Sequence, residues 1–140
     1  MNVQDREIPA LLNRYKKLVV YGLSPDPDKP SHSVPLYVRS LGWDIVGTYP
    51  KKHAEAEFTI YSTLSEVPTE YRKFVDVFRS SDRIPQVVDE VLEVGGVEVL
   101  FLQLGISHSE AEKRAEKAGI KVISDRCLAI EHQKLRMLGL

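Results

Sequence analysis

One polar segment near the start of the chain has the residue types and the spacing of an anion-binding loop. Residues 18–21 are apolar, Gly22 follows them directly, and apolar residues recur at helical spacing over 34–41. A loop that enters a helix presents unpaired backbone N–H groups and a partial positive charge, which together attract a phosphate. Gly22 has no side chain to keep such a group from the backbone. This segment therefore predicts a strand, a phosphate-binding loop and a helix.

Hydroxyl groups and prolines in the same segment bear on where the helix begins. Ser24, Ser31 and Ser33 offer hydroxyl donors to a bound anion, and either Ser31 or Ser33 serves as the helix N-cap. Pro30 or Pro35 then falls at or near the first turn, where a missing N–H is tolerated. The alternative is a connection that binds nothing, because one glycine followed by serines is a weaker signal than G-x-G-x-x-G.

Composition and charge describe one globular domain and exclude several classes of partner. The chain has 140 residues with 19 basic and 20 acidic side chains, so a single domain over residues 1–140 is expected. Balanced charge gives no overall field to attract nucleic acid or an anionic membrane. One cysteine allows no disulfide framework, which suits the reducing cytoplasm. No apolar run approaches the roughly 20 residues of a membrane span, and a homodimer is the base-rate expectation.

The apolar segments predict five strands separated mostly by helices. Residues 84–92 carry apolar side chains at spacings of three and four and form the best-marked helix. Ser107 and Glu110 have the spacing of a capping box before a charged helix. Residues 52–70 lack a clean period, and no regular helix is predicted there. The predicted strands cover residues 18–21, 43–49, 74–78, 97–102 and 120–123.

This pattern predicts a Rossmann-type α/β domain of three layers with a five-stranded parallel sheet. Strands alternating with helices form parallel sheets with right-handed crossovers, and helices then cover both faces. Between two doubly wound arrangements, we favour the order 3-2-1-4-5 over the flavodoxin-like order 2-1-3-4-5. In both, the ligand crevice lies outside the carboxyl ends of the strands at the topological switch point.

The residues that follow the predicted strands are the candidates for this crevice. A site for NAD requires an acidic residue at the end of the second strand to take the ribose hydroxyls. Here Tyr49 and Pro50 lead to Lys51, which is either an ordinary solvated lysine or a partner for a phosphate on that ribose. NADP and coenzyme A both carry such a phosphate. The candidates are Gly22, Leu23, Ser24, Tyr49, Pro50, Lys51, Val77, Phe78, Arg79, Gln103, Gly105 and residues 124–127.

Several of the chemically interesting side chains also have structural explanations. Arg79 can cover the end of the sheet or pair with Asp76, and Cys127 can be a small core residue. His32 and His132 fit loop or surface positions better than catalytic ones. No Ser/His/Asp or Cys/His pairing, no paired carboxylates and no metal-ligand spacing can be read from the sequence. We therefore predict no catalytic residue and no metal ligand.

Taken together, five motifs resemble those of the small stand-alone CoA-binding proteins. That family is similar to the nucleotide-binding N-terminal domain of the succinyl-CoA synthetase α subunit. The resemblance spans nearly the whole chain, although Tyr49 stands where the family usually has asparagine. The motifs are GLSP at 22–25 with KPSH at 29–32, YPK at 49–51, VDVFR at 75–79, LQLG at 102–105, and DRC at 125–127 with EH at 131–132.

The resemblance implies a Rossmann-type fold that binds coenzyme A and assigns a part of the ligand to each motif. The ligase chemistry of the synthetase uses a phosphorylated histidine from a further domain, which this chain does not contain, so the resemblance implies binding rather than catalysis. The implied contacts are Gly22, Leu23, Ser24, Ser31 and His32 at the pyrophosphate, Tyr49, Pro50 and Lys51 at the ribose phosphate, Val77, Phe78 and Arg79 beside the adenosine, and Gln103 and Gly105 toward the pantetheine arm.

The expected function is therefore binding of coenzyme A or an acyl-CoA by a carrier, sensor or regulatory protein. Two other classes remain as alternatives: an NADP-type oxidoreductase-like domain, and a protein-interaction module whose nucleotide crevice is vestigial. The sequence has no G-x-G-x-x-G and no room for a substrate domain, which disfavours the oxidoreductase.

Overall fold

The chain folds around one parallel sheet. A computed structural model describes residues 3–50 and 58–139. Its strands are β1 (Lys17–Tyr21), β2 (Asp44–Thr48), β3 (Thr59–Tyr61), β4 (Phe74–Val77), β5 (Val99–Leu102) and β6 (Lys121–Ile123). Neighbouring strands pair in parallel in the order β3-β2-β1-β4-β5-β6. Because the order reverses between β1 and β4, the topological switch point lies at the carboxyl ends of these two strands.

Helices cover both faces of the sheet and make the domain three layers deep. They are α1 (Val3–Arg14), α2 (Pro30–Ser40), α3 (Thr69–Arg72), α4 (Ile84–Val94), α5 (Ser109–Lys117) and α6 (Leu128–Met137). On one face, α4 and α5 pack on strand residues such as Val75 and Leu100. On the other face, α1, α2 and α6 pack on residues such as Phe74 and Phe101. Over residues 3–50 and 58–139, no helix is long and apolar enough to cross a membrane.

The neighbouring strands β4 and β5 are mostly apolar because helices cover both of their faces. Every residue of both strands is buried. Side chains alternate between the faces, so Phe74 contributes to the core under α1 and α6, whereas Val75 contributes to the core under α4. Asp76 breaks the pattern, since it is a carboxylic acid buried in the middle of β4.

The predicted fold class and the Rossmann-type order are confirmed, but the sheet has six strands, in the order 3-2-1-4-5-6, rather than five. The third position in the sheet belongs to β3, which pairs with β2 at the edge. The strand predicted as the third is β4, which lies between β1 and β5, so the five segments predicted from the sequence pair in the order 2-1-3-4-5. β3 has three residues that are only partly buried, so neither length nor periodicity marked it in the stretch expected to be irregular.

Two helix starts differ from the sequence prediction. Lys29 is the N-cap of α2 and Pro30 is its first residue, so neither Ser31 nor Ser33 is the cap. At α5, His108 rather than Ser107 is the N-cap, and its Nδ1 accepts the N–H of Ala111 at 3.2 Å. The N–H of His108 also donates to the Glu112 carboxylate at 2.8 Å, and the N–H of Ser107 donates to the Ser81 hydroxyl in the neighbouring loop at 3.1 Å.

Candidate functional site

The turn after β1 brings the chain against the ends of two neighbouring strands. Gly22 and Leu23 both donate their N–H to the carbonyl of Thr48, each at 3.0 Å. Gly22 has φ of +95°, and a Cβ there would lie 2.7 Å from the Phe78 carbonyl oxygen and 2.6 Å from the Arg79 guanidinium. The positive φ and the lack of space for a Cβ each require a glycine at this position. The volume beside Gly22 is thus filled by protein atoms, and an anion must bind further along the loop.

Leu23 lies in the core rather than in the crevice. Its side chain is fully buried and belongs to the cluster beneath α2 and α6. It packs across Gly47 of β2, where an added Cβ would lie 2.7 Å from the Cβ of Leu23. Val77 is likewise buried, in the core on the α4 side. These two predicted site residues support the fold with their side chains.

Side-chain hydrogen bonds fix the loop between Gly22 and α2. The Ser24 hydroxyl accepts the N–H of Asp26 at 3.0 Å, and the Asp26 carboxylate accepts the N–H of Asp28 at 2.9 Å. Nδ1 of His32 lies 2.8 Å from the Ser24 carbonyl oxygen. A carbonyl only accepts, so Nδ1 carries the proton. His32 is buried, contrary to the expectation of a loop or surface position, and anchors the loop to α2.

The start of α2 leaves the backbone N–H of Ser31 without an acceptor in the helix, whereas the N–H groups of His32 and Ser33 donate to the Lys29 carbonyl. Pro30 has no N–H, and Ser31 is the second residue of the helix, whose N–H has no acceptor within the helix. The Lys29 side chain at the N-cap is exposed. The positive end of the helix dipole and the Lys29 ammonium both favour an anion at this position.

Two pockets open at the carboxyl edge of the sheet on either side of the segment that follows β4. The Tyr49 pocket has a volume of about 670 Å³ and is lined by Tyr21, Tyr49, Pro50, Arg79, Arg83 and Gln86, among others. The Gln103 pocket has a volume of about 520 Å³ and is lined by Ser31, Val34, Phe78, Gln103, Leu104 and Cys127, among others. Arg79 and Ser80 line both pockets, so a single extended ligand can occupy the two together.

Arg79 lies where the two pockets meet. Its guanidinium carbon is 5.6 Å from the centre of the Tyr21 ring and 5.9 Å from that of Tyr49, distances at which a cation is attracted by the aromatic face. The Tyr21 hydroxyl in turn donates to Glu90, and burial with this hydrogen bond raises the pKa of Tyr21. Arg79 pairs with aromatic rings and not with Asp76, which the sequence had suggested as a partner.

A buried carboxyl group lies beneath the Gln103 pocket. Oδ1 of Asp76 accepts a hydrogen bond from Nε2 of Gln103 at 2.5 Å, whereas Oδ2 has no partner among the described residues. Burial raises the pKa of Asp76 to about 7. The hydrogen bond from Gln103 lowers the pKa, but by less than burial raises it. Asp76 was not among the site residues predicted from the sequence, although an acidic residue within the apolar run 74–78 is a signal that could have identified it.

A hydrogen bond joins the loop after β5 to the loop after β6. The N–H of Gly105 donates to Oδ1 of Asp125 at 2.7 Å, and Asp125 has φ of +56°. Asp125 is the acidic residue of the DRC motif, and its role is therefore to hold the two loops together. Cys127, at the N-cap of α6, is half-buried and lines the Gln103 pocket, so it is not the core residue offered as the alternative.

The structure therefore brings together part of the predicted set. Ser31, Phe78, Arg79 and Gln103 line the pockets with Tyr49 and Pro50, whereas Leu23 and Val77 are in the core and Ser24, His32 and Gly105 fix loops. Lys51 lies outside the described residues. The sequence analysis did not select Tyr21, Ser80 or Arg83, which line the Tyr49 pocket. Position at a strand end was the available signal, because Tyr21 is the last residue of β1 and Ser80 comes shortly after β4.

Comparison with known proteins shows which family has this arrangement. The family described as the CoA binding domain matches residues 16–133. The chain belongs to this CoA-binding domain family. The resemblance drawn from the five motifs is thereby confirmed.

Two relatives match this chain over nearly its whole length, and a third shares its fold over part of a longer protein. The uncharacterized protein YneT of Bacillus subtilis (strain 168) is 32% identical over 131 residues, covering 94% of this chain and 96% of YneT. The structure of cell-free ID.343 from Thermus thermophilus is 33% identical with a TM-score of 0.84, covering 96% of this chain and 99% of that one. Acetyl-coenzyme A synthetase 1 of Ca. Korarchaeum cryptofilum, solved with phosphate and ADP, shares the fold at 20% identity and a TM-score of 0.66, over 77% of this chain and 25% of its own.

Proposed function

We propose that this member of the CoA-binding domain family binds coenzyme A across the two pockets at the carboxyl edge of the sheet. The observation that carries the proposal is the pair of pockets joined at Arg79 and Ser80. Coenzyme A has a charged nucleotide half and a long, largely apolar pantetheine arm. One pocket is rich in arginine and tyrosine, and the other is lined mainly by apolar side chains, so each half of the ligand has a matching pocket.

The nucleotide half is assigned to the Tyr49 pocket. Arg79 and Arg83 supply positive charge, and the rings of Tyr21 and Tyr49 supply flat surfaces for the adenosine. Lys51 directly follows Pro50 in the sequence, and we assign it to the ribose phosphate that distinguishes coenzyme A from its dephospho form. A phosphate gains most from such cations when the site excludes water.

The pyrophosphate is assigned to the junction of the two pockets. Arg79 lines both of them, and Ser31 and Lys29 at the start of α2 line the Gln103 pocket beside it. A guanidinium, a free helical N–H and the helix dipole together attract a doubly charged group. Gly22 and Ser24 contribute to this site indirectly, because they shape the loop that leads to Lys29 and Ser31.

The pantetheine arm is assigned to the Gln103 pocket, with the thiol end directed past Leu104 and Cys127. Phe78, Val34 and Leu104 offer apolar contact, and Gln103 offers a polar group. The arm bears the acyl group in an acyl-CoA, so this pocket would discriminate between coenzyme A and its thioesters. We propose a carrier, sensor or regulatory role without catalysis, for a cytoplasmic protein that forms a homodimer.

A panel of ligands tests the proposal by thermal shift and calorimetry. Coenzyme A should stabilise the protein, by about 2.7 kcal/mol at 100 times its dissociation constant, and should bind more tightly than dephospho-CoA. Acetyl-CoA is included in the panel to report whether the arm pocket accepts an acyl group. Stabilisation by NADP and not by coenzyme A would favour the oxidoreductase-like alternative. No stabilisation by coenzyme A, acetyl-CoA, NADP, NAD or ATP would favour an interaction module with a vestigial crevice.

A further inference from the structure

Asp76 is the one described residue of β4 whose side chain is not apolar, and it lies directly below the proposed ligand. Its register partners are Val20 on β1 and Phe101 on β5, which belong to the core under α2 and α6. Gln103 is two residues further along from Phe101, toward the carboxyl edge, and lines the pocket there. Asp76 itself is 1% exposed, so it contacts the pocket only through Gln103.

The contact between the two side chains restricts how Gln103 can present its amide. Above its pKa of about 7 the Asp76 carboxyl group is ionised. It then accepts hydrogen bonds and cannot donate them, so it selects the amide nitrogen of Gln103 as its partner. Nε2 of Gln103 is 2.5 Å from Oδ1 of Asp76. With the nitrogen turned toward Asp76, the carbonyl oxygen Oε1 is turned away from it. A glutamine without such a partner can present either end of its amide with similar energy.

The burial of Asp76 is difficult to explain by stability alone. A carboxyl group with no cation beside it loses its hydration on folding, and one of its oxygens has no hydrogen-bond partner among the described residues. An apolar residue, as found at the other positions of β4, would avoid this loss. Unfavourable polar groups of this kind are concentrated at functional sites.

Resting on the proposed function, we propose that Asp76 is a positioning residue, which holds the Gln103 amide so that its Oε1 accepts an N–H of a secondary amide in the pantetheine arm. The arm contains two such amides, and each must find an acceptor when it leaves water. Phe78, Val34 and Leu104 supply contact but no acceptor side chain, and the hydroxyls of Ser31 and Ser80 lie at the junction assigned to the pyrophosphate. Gln103 therefore determines that the pocket takes an amide-bearing arm rather than a purely apolar chain.

The experiment compares two ligands on three variants. Coenzyme A contains the arm, whereas adenosine 3′,5′-bisphosphate contains only the nucleotide half. Gln103→Met removes the acceptor at similar length and should weaken coenzyme A about tenfold, the effect of one hydrogen bond. Asp76→Asn keeps the shape but lets the amide turn, and should weaken coenzyme A by a smaller factor, about threefold. Neither variant should change the affinity for the bisphosphate.

The double variant separates positioning from a merely structural role. If Asp76 acts through Gln103, then Asp76→Asn combined with Gln103→Met should bind coenzyme A no more weakly than Gln103→Met alone. Additive losses, equal losses for coenzyme A and the bisphosphate, or wild-type affinity in Asp76→Asn would each overturn the inference. Failure of the wild-type protein to bind either ligand would instead overturn the proposed function, and the inference with it. Circular dichroism confirms that each variant is folded before the titration.

Discussion

Buried polar groups have different surroundings at the carboxyl edge and at the amino edge of the sheet. At the carboxyl edge, His32 and Ser24 make hydrogen bonds that fix the loop after β1. At the amino edge, Nε1 of Trp43 and Nε2 of His132 are buried with no hydrogen-bond partner in the described parts of the chain. The rings of Trp43 and His132 instead pack edge to face, with centres 5.4 Å apart. The carboxyl edge is organised mainly by polar contacts, with Oδ2 of Asp76 as an exception, and the amino edge is closed by aromatic packing.

This difference shows that a buried histidine is informative only together with its partners. From sequence alone, His32 and His132 had the same expectation, and both proved to be buried. His32 connects the loop to α2 beside the two pockets. His132 lines a smaller pocket of about 250 Å³ at the opposite edge, and burial together with the Lys16 ammonium lowers the pKa of His132 to about 4. The Tyr49 and Gln103 pockets, and with them the site that we propose, lie at the carboxyl edge.

Replacing Gly22 by alanine should have the largest effect at the carboxyl edge. The new Cβ would lie 2.6 Å from Arg79 and 2.7 Å from the Phe78 carbonyl, in a backbone with φ of +95°. We expect the free energy of unfolding to fall by about 3 kcal/mol and the affinity for coenzyme A to be lost. Denaturant unfolding and calorimetry measure the two effects.

Gly42 is the matched control, since it precedes β2 at the amino edge. It has φ of +101°, but a Cβ there would meet no heavy atom within 4 Å. Gly42→Ala should reduce the free energy of unfolding by about 1 kcal/mol and leave coenzyme A binding unchanged. Equal effects of the two replacements would mean that backbone conformation, rather than the contact with β4, explains Gly22.

Asp76 should make the protein less stable as the pH rises. Its pKa is about 7 in the folded chain and 3.8 as the ordinary value, so the folded state binds the proton more tightly. The contribution of Asp76 to stability is then highest below pH 4, falls between about pH 4 and pH 7, and levels off above, with a total loss of up to about 4 kcal/mol. Urea unfolding at pH 5 and pH 8 measures roughly three fifths of this loss. Asp76→Asn should remove this component of the pH dependence and leave the opposite component due to His132, and a variant with the wild-type pH dependence would contradict the assignment.

Arg79 and Lys16 are both cations beside aromatic rings, but at opposite edges. Lys16 lies 5.5 Å from the Trp43 ring, as Arg79 lies near Tyr21 and Tyr49. Arg79→Gln should weaken coenzyme A by 10- to 100-fold, which corresponds to about 1.5–3 kcal/mol for hydrogen bonds to a charged group. Lys16→Gln should leave the affinity within about twofold. Calorimetric titration measures both, and a similar loss in the two variants would indicate a general effect of net charge.

The contribution of His132 to stability should depend on pH in the opposite direction to that of Asp76, and by a smaller amount. Its pKa is about 4 when folded and 6.5 as the ordinary value, so protons favour the unfolded chain. The stability due to neutral His132 is present above pH 6.5 and is lost as the pH falls toward 4, by on the order of 2 kcal/mol. His132→Phe should lessen this loss in unfolding experiments while coenzyme A still binds. The same acid loss in the variant would show that other groups cause it.

The sequence predicted the parts of the fold that local pattern determines. Long apolar segments identified β1, β4 and β5, and the rule that ligands bind at the carboxyl ends of parallel strands points to the edge at which both pockets open. β3 was missed because it has only three residues, one exposed and two partly buried, which carry no periodicity. The sixth strand can thus be recognised only from its pairing with β2 in the folded chain.

The roles within the site depended on contacts between distant residues. Leu23 was assigned to the ligand because it follows a strand, but Gly47 leaves room for its side chain in the core. Asp76 was considered only as a partner of Arg79, whereas its partner is Gln103, 27 residues further along. Motif order correctly predicted the family, while side-chain direction required the packing of β1, β2 and β5 around these residues.

A titration of ¹⁵N-labelled protein with coenzyme A, followed by amide NMR spectra, tests the central claim most directly. The account predicts that amide signals of both pockets shift together and saturate at one ligand per chain, including Tyr49, Ser80, Gln103 and Cys127. Adenosine 3′,5′-bisphosphate should shift the Tyr49 pocket and leave Gln103 and Cys127 unchanged. Shifts centred on Trp43 and His132 at the amino edge, or no saturable shift at either pocket, would contradict it.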